Sequence, residues 1–217
     1  MANNLEDKIV KLYGRHNNRV ALHAIPGHFS TTNSHVNFYV DLTSLKTRAN
    51  EAAEVARCLA GDYVNSTVID TLVCMDGTEV VGAFLAQEFE RRHFRNNNLH
   101  DTIYIVTPEY ISNNQFLFRD NIVPAVRGKN IILLLATSTT GMSIRQSREC
   151  VEYYGGKVRG ISSIFSTIKK VDGTPVHSVF SEEDLPGYSA FPKNDCPFCK
   201  KHMPIEAMVN GFGYSKL

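Results

Sequence analysis

Apolar positions along the chain change their period several times, and each change predicts an element. From Ala49 to Ala60 they fall at Ala52, Ala53, Val55, Ala56 and Leu59, the spacing of one helix face, and Gly61 follows as a stop. Val68 to Met75 is an apolar-rich run that predicts a buried strand. Asp76-Gly77-Thr78 predicts a turn. Glu79 to Phe94 predicts a second helix, with Val81, Phe84, Leu85 and Phe89 on one face. Thr102 to Val106 predicts a short strand, and Pro108 to Asn121 has no clean period. Ile131 to Ala136 is the longest apolar run and predicts a buried strand. Polar Thr137 to Gly141 follows, then a helical pattern from Ser143 to Tyr154 with Ile144, Ser147, Val151 and Tyr154 inward, ended by Gly155-Gly156. Val158 to Phe165 predicts another apolar strand, and Val176 to Phe180 an edge strand.

Strands that alternate with helices predict an α/β fold: a mostly parallel, twisted sheet with helices on both faces. The whole chain, 1–217, reads as one domain with a core over about 46–180. Residues 1–45 and 181–217 lie outside the alternation and are expected to pack together as a small hood and tail. Ligands of such sheets sit at the carboxyl ends of the strands, where strand order reverses. Attention therefore falls on the loops after Met75 and after Ala136.

Composition narrows the function classes. Of 217 residues, 43% are apolar and 21% charged, which fits a globular protein and excludes disordered, collagen-like and coiled-coil chains. A formal net charge of +1 supplies no global field toward nucleic acid or anionic lipid, so neither is expected as a partner. No run approaches the ~18 apolar residues of a membrane span. The start, Met1 to Asp7, is polar and acidic, unlike a secretory signal. The five cysteines are Cys58, Cys74, Cys150, Cys196 and Cys199. An odd number without an export signal predicts reduced thiols in the cytoplasm. Cys58, Cys74 and Cys150 sit in apolar patterns and read as small core residues.

The loop Thr137-Ser138-Thr139-Thr140-Gly141-Met142-Ser143 follows a buried strand and opens a helix. Short hydroxyl side chains, a glycine for close backbone approach and helix-start amides make an anion cradle. A plain Ser/Thr helix cap has the same composition. These residues carry a resemblance. The run Asn130 to Ser143, followed by Cys150-Val-Glu-Tyr-Tyr-Gly-Gly-Lys-Val158, resembles the phosphoribosyl-diphosphate signature of type I phosphoribosyltransferases, and is most similar to the orotate phosphoribosyltransferase branch. Asp76-Gly77-Thr78-Glu79 and the helix after it are similar to the family's diphosphate loop. Gly27 to Asp41 resembles its hood segment, and Asp195-Cys-Pro-Phe-Cys-Lys200 a tail seen in some members. The resemblance implies a ligand that is a phosphorylated ribose or a nucleotide, and Mg²⁺ if the protein is active. It also implies a homodimer in which each mobile loop serves the neighbour's site.

Two departures matter as much. The family's acidic pair, which holds the ribose hydroxyls and helps place Mg²⁺, corresponds to Leu135 and Ala136. The family's basic mobile loop corresponds to Val106 to Gln115, which contains no Lys, Arg or His. Departing diphosphate needs cationic stabilisation. The resemblance with these gaps therefore implies a phosphoribosyltransferase-like ligand binder whose catalysis is impaired or lost. The alternatives are a working transferase of nucleotide synthesis or salvage and a non-enzymatic ligand-sensing regulator. No catalytic residue can be assigned.

Cys196-Pro-Phe-Cys199-Lys-Lys-His202 offers two thiols and an imidazole at metal-ligand spacing. Structural zinc takes four ligands, and a partner C-x-x-C is missing. Distant Cys58, another His or a second subunit would have to complete a site. Zinc at Cys196 and Cys199 is thus the less favoured reading, behind a structural role of the pair like that in the similar tails, and no metal is assigned.

Overall fold

Two sheets of opposite logic organise the chain: one is built from segments close in sequence order, the other from the two ends. The computed structural model describes residues 5–14, 18–63, 68–91, 102–111 and 115–217. Three antiparallel strands come first: β1 (Val10–Tyr13), β2 (Ala21–Ser30) and β3 (Ser34–Asp41). Helices α1 (Thr43–Thr47) and α2 (Ala49–Ala60) lead to β4 (Thr71–Cys74), α3 (Glu79–Arg91) and β5 (Tyr104–Val106). A ribbon of β6 (Glu109–Ile111) and β7 (Gln115–Leu117) precedes β8 (Asn130–Ser138), α4 (Met142–Tyr153) and β9 (Lys157–Ser166). The chain ends with β10 (Lys170–Val171), β11 (Thr174–Ser181), β12 (Ala190–Pro192), α5 (Pro197–Lys200), β13 (Ala207–Asn210) and β14 (Gly213–Lys216).

The central sheet has the order β10-β11-β9-β8-β4-β5, and every neighbouring pair except β10–β11 is parallel. β8 shows why it is buried on both faces. Its Ile132, Leu134 and Ala136 join the cluster with Val55 of α2 and Leu85 of α3, while Ile131, Leu133 and Leu135 join the cluster with Ile144 and Val151 of α4. Each fully buried Leu or Ile contributes about 1.5–3 kcal/mol. The chain runs from β4 outward to β5, then returns to place β8 on the other side of β4. That reversal opens a crevice between the carboxyl ends of β4 and β8. Cross-bonds close its floor: the Met75 N–H donates to the Leu134 carbonyl at 2.8 Å and the Thr78 hydroxyl to the same oxygen at 3.1 Å.

Over the crevice lies the second sheet, order β12-β3-β2-β13-β14, with β1 also on β2. β13 pairs parallel with β2 at Phe29 and Ser30, and Phe29, Val36, Tyr39 and Ala207 share a small core.

Several elements differ from their sequence pattern. The aperiodic stretch Pro108 to Asn121 holds the β6–β7 ribbon, whose three-residue strands are too short to register a period. The predicted edge strand, β11, lies one place in, covered by the two residues of β10. β4 begins at Thr71 rather than Val68. The second helix is described to Arg91, and the rest of the basic run Arg91-Arg92-His93-Phe94-Arg95 lies outside the described residues. No helix among the described residues is long and apolar enough to cross a membrane.

Candidate ligand-binding site

The crevice is a cavity of about 470 Å³. Its floor is the loop Thr137 to Ser143, all seven residues of which line it, and Asp76, Gly77 and Glu79 form the adjacent wall. Thr78 is buried beneath and serves the floor instead. The two sequence-predicted loops are thus brought together by the β4–β8 reversal.

The cradle loop starts as strand. Thr137 and Ser138 still pair with Phe165 and Ser166 of β9, and Thr167 donates its amide to the Ser138 carbonyl at 3.0 Å and its hydroxyl to the Thr139 carbonyl at 3.1 Å. Gly141 then turns at φ 74°, the left-handed region that a side chain resists. A Cβ there would also meet Val171 at 3.2 Å and Ile168 at 3.3 Å. Helix α4 begins directly after it with no side chain capping its start. First-turn amides have no partner inside a helix, so those of α4 are presented toward the cavity. Buried Ser138 adds a hydroxyl with no hydrogen-bond partner among the described residues.

The first loop is held by a residue the sequence pattern did not single out. Lys46, 5% exposed, sits in the last turn of α1 and donates to the carbonyls of Asp76 (2.7 Å) and Gly211. Burial pushes the Lys46 ammonium below its usual range, while Asp76, Glu79 and Asp41 oppose that. Burial raises the Asp76 carboxyl, against the pull of Lys46 and of the Ala136 amide that donates to it. Glu79 accepts from the Thr107 hydroxyl at 3.0 Å. The β13–β14 turn closes this corner. A Cβ at Gly211 would come within 2.5 Å of the Asp76 Cβ, so only glycine fits.

The upper wall is aromatic and amide: Phe38, Tyr110, Phe116, Tyr188, Asn33 and Asn210 are among its residues. Burial raises the Tyr188 phenol to about 12, against a hydrogen bond with the Thr139 side chain. Among the described residues no Lys, Arg or His lines the cavity, and its carboxylates are Asp76 and Glu79. Arg119, the cation nearest to the ribbon in sequence, is engaged elsewhere: it forms a two-toothed ion pair with Glu109, at 3.0 and 2.6 Å. Leu135 and Ala136 are both 0% exposed and do not line the cavity.

The metal candidates of the tail are regrouped. His202 is exposed with φ 55° and stands apart. Instead, His28 of β2 and His35 of β3 meet Cys196 and Cys199, with all four ligand atoms within 4.8 Å of one another. Sequence spacing conceals this, because about 160 residues separate the pairs; the available signal was that both histidines lie in the hood segment Gly27 to Asp41.

No model of a known protein family matches the chain, and no curated protein matches it in sequence. Solved structures do. Leishmania donovani UMP synthase superposes with a TM-score of 0.56 at 13% identity, over 83% of this chain and 36% of that one. Mycobacterium tuberculosis orotate phosphoribosyltransferase gives 0.52 at 17% identity, over 76% and 93%. Adenine phosphoribosyltransferase of Thermoanaerobacter pseudethanolicus gives 0.50 at 14%, over 82% and 97%. The fold is that of the type I phosphoribosyltransferases.

Proposed function

We propose that the protein binds a phosphorylated ribose or a mononucleotide in the crevice and transfers phosphoribosyl groups poorly or not at all. The observation that carries this reading is the uncapped start of α4, preceded by left-handed Gly141 and the Thr139–Thr140 hydroxyls, opening into a cavity of nucleotide size. A phosphate monoester would accept from the α4 amides and from Thr139, Thr140 and Ser143. Aromatic faces such as Phe38, Tyr110 and Phe116 supply surfaces on which a base can stack.

The same cavity lacks what transfer demands. Diphosphate leaves with several negative charges, and no cation among the described residues faces it. The ribose hydroxyls meet no carboxylate at Leu135 or Ala136. Two lost charged hydrogen bonds at about 1.5–3 kcal/mol each amount to roughly two to four orders of magnitude in rate.

Calorimetry with ribose 5-phosphate and with uridine 5′-monophosphate tests the reading. Binding is expected, weakened at least tenfold (about 1.4 kcal/mol) by Thr140→Val and by Gly141→Val. Equal affinity in both variants would exclude the loop as the phosphate site.

A further inference from the structure

A second site lies on the hood, away from the crevice floor, and nothing in the proposed ligand reading uses it. His28 Nε2 stands 3.1 Å from His35 Nδ1, 3.5 Å from Cys196 Sγ and 3.7 Å from Cys199 Sγ, and His35 Nδ1 is 3.3 Å from Cys199 Sγ. These four separations are close to edges of a tetrahedron around zinc, and the remaining two, Cys196 to Cys199 and His35 to Cys196, lie within 4.8 Å. With Zn–N of about 2.05 Å and Zn–S of about 2.3 Å, tetrahedral angles require roughly 3.3 Å between nitrogens and 3.6 Å between nitrogen and sulfur.

Hydrogen bonding alone does not explain the convergence. The other nitrogen of His28, Nδ1, lies 3.0 Å from the Met203 carbonyl, an oxygen that can only accept. Nδ1 therefore carries the ring proton, and Nε2 turns its lone pair to the cluster. That lone pair can accept one proton, yet three potential partners crowd it. A single cation in the centre satisfies all four atoms. An imidazole that ligates through one nitrogen and donates from the other to a backbone carbonyl is the usual support of a metal ligand. Two thiolates and Zn²⁺ sum to zero charge, which suits a place where His28 and Cys196 are each 1% exposed. Two sulfurs and two nitrogens in tetrahedral array select zinc over the oxygen-loving cations.

Local structure is shaped to this end. The β2–β3 register shifts between Pro26 and Phe29, a bulge that re-aims His28. A Cβ at Gly27 would strike Glu206 Oε1 at 2.5 Å and the Phe29 ring at 2.8 Å. Phe198, between the two cysteines, stacks on the His28 ring at 5.3 Å.

We infer that His28, His35, Cys196 and Cys199 form a structural zinc site that clamps the tail to the hood. The clamp reaches the crevice by connectivity. The turn Thr31 to Ser34, a wall of the cavity, lies between the two histidine ligands. The Glu206 amide donates to the His28 carbonyl at 2.8 Å, just before β13, whose turn supplies Asn210 to Phe212 to the same cavity.

Full-length protein, purified in reductant without chelator, is expected to carry one zinc per chain by elemental analysis. Co²⁺ in its place should show thiolate-to-cobalt charge transfer and the intense visible bands of a tetrahedral site. His35→Ala and Cys199→Ser should each lose the metal or bind it more than tenfold more weakly, since even outer partners of metal ligands are worth about 10–100-fold. His202→Ala should keep full zinc, which separates this site from the C-x-x-C-x-x-H reading. Cys199 reaches the surface, so its serine variant is the one best placed to fold. Substoichiometric zinc together with no cobalt spectrum, or a Cys196–Cys199 disulfide in the isolated protein, would overturn the assignment.

Discussion

The ammonium of Lys46 donates to the main-chain carbonyl of Asp76 at 2.7 Å, and Asp76 itself stands at φ 57°. A buried cation thus holds a left-handed aspartate at the mouth of the crevice. The same ammonium reaches the Gly211 carbonyl and lies 5.8 Å from the Phe212 ring centre. One side chain therefore fixes the first loop against the tail turn. Lys46→Met keeps the apolar stem but leaves two carbonyls without their donor. A buried polar group stripped of its partner costs about 1–3 kcal/mol, partly offset because a buried ammonium no longer has to be accommodated. The variant is expected to lose about 1–3 kcal/mol in chemical denaturation and to exchange the Gly211 and Phe212 amides faster. Unchanged exchange at those amides would show that Lys46 does not organise the corner.

Catalytic repair should fail. Leu135 points into the α4-side core and Ala136 into the opposite one, so Leu135→Asp with Ala136→Asp buries two unpaired carboxylates. Each carries an effective penalty of several kcal/mol. The wild-type protein is expected to show no appreciable transfer to orotate, with or without Mg²⁺. The double variant is expected to remain inactive and to unfold at lower denaturant. Wild-type turnover near about 1 per second, within the ordinary enzyme range, would establish the working-transferase reading instead.

A homodimer is expected from the resemblance, and the β6–β7 ribbon offers a surface for it. Tyr110 is 62% exposed at its edge, with exposed Ile111 beside it. Light scattering should show twice the 24.3 kDa chain mass, reduced toward one by Tyr110→Asp. A single-chain mass at micromolar concentration would count against the dimer.

Legibility in the sequence followed range of interaction. The helix Ala49 to Ala60 has the bounds its apolar spacing predicts, because an amphipathic face is written within the segment that forms it. β8 was visible as an apolar run because both its faces are buried. The cradle loop and the Asp76 turn were legible as local chemistry, and the fold explained why they meet. Lys46 was not legible: a lysine in a short helix carries no mark of burial, and its partners Asp76 and Gly211 lie 30 and 165 residues away. The histidines of the hood were hidden for the same reason, and His202 drew attention only because it was near in sequence.

Tyr188 supplies a test by pH. Its ring lines the cavity, its hydroxyl is hydrogen-bonded to the Thr139 side chain, and burial raises its pKa from 10.0 to about 12. Between those values the folded protein keeps the phenol proton while the unfolded chain has lost it. The folded state then binds more protons, so stability falls as pH rises through the window, by up to about 1.4 kcal/mol per pH unit from this group. Below pH 10 the group contributes no slope. Tyr188→Phe removes the titrating group and, with it, the Thr139 bond. In urea denaturation the variant is expected to start about 1 kcal/mol less stable at pH 8, and the gap to wild type should close and then reverse as pH rises from 10 toward 12, because the wild type loses about 2 kcal/mol over that window. A gap that stays constant over that range would mean that the phenol is not shielded by the hood, and that the wall above Thr139 is open to water.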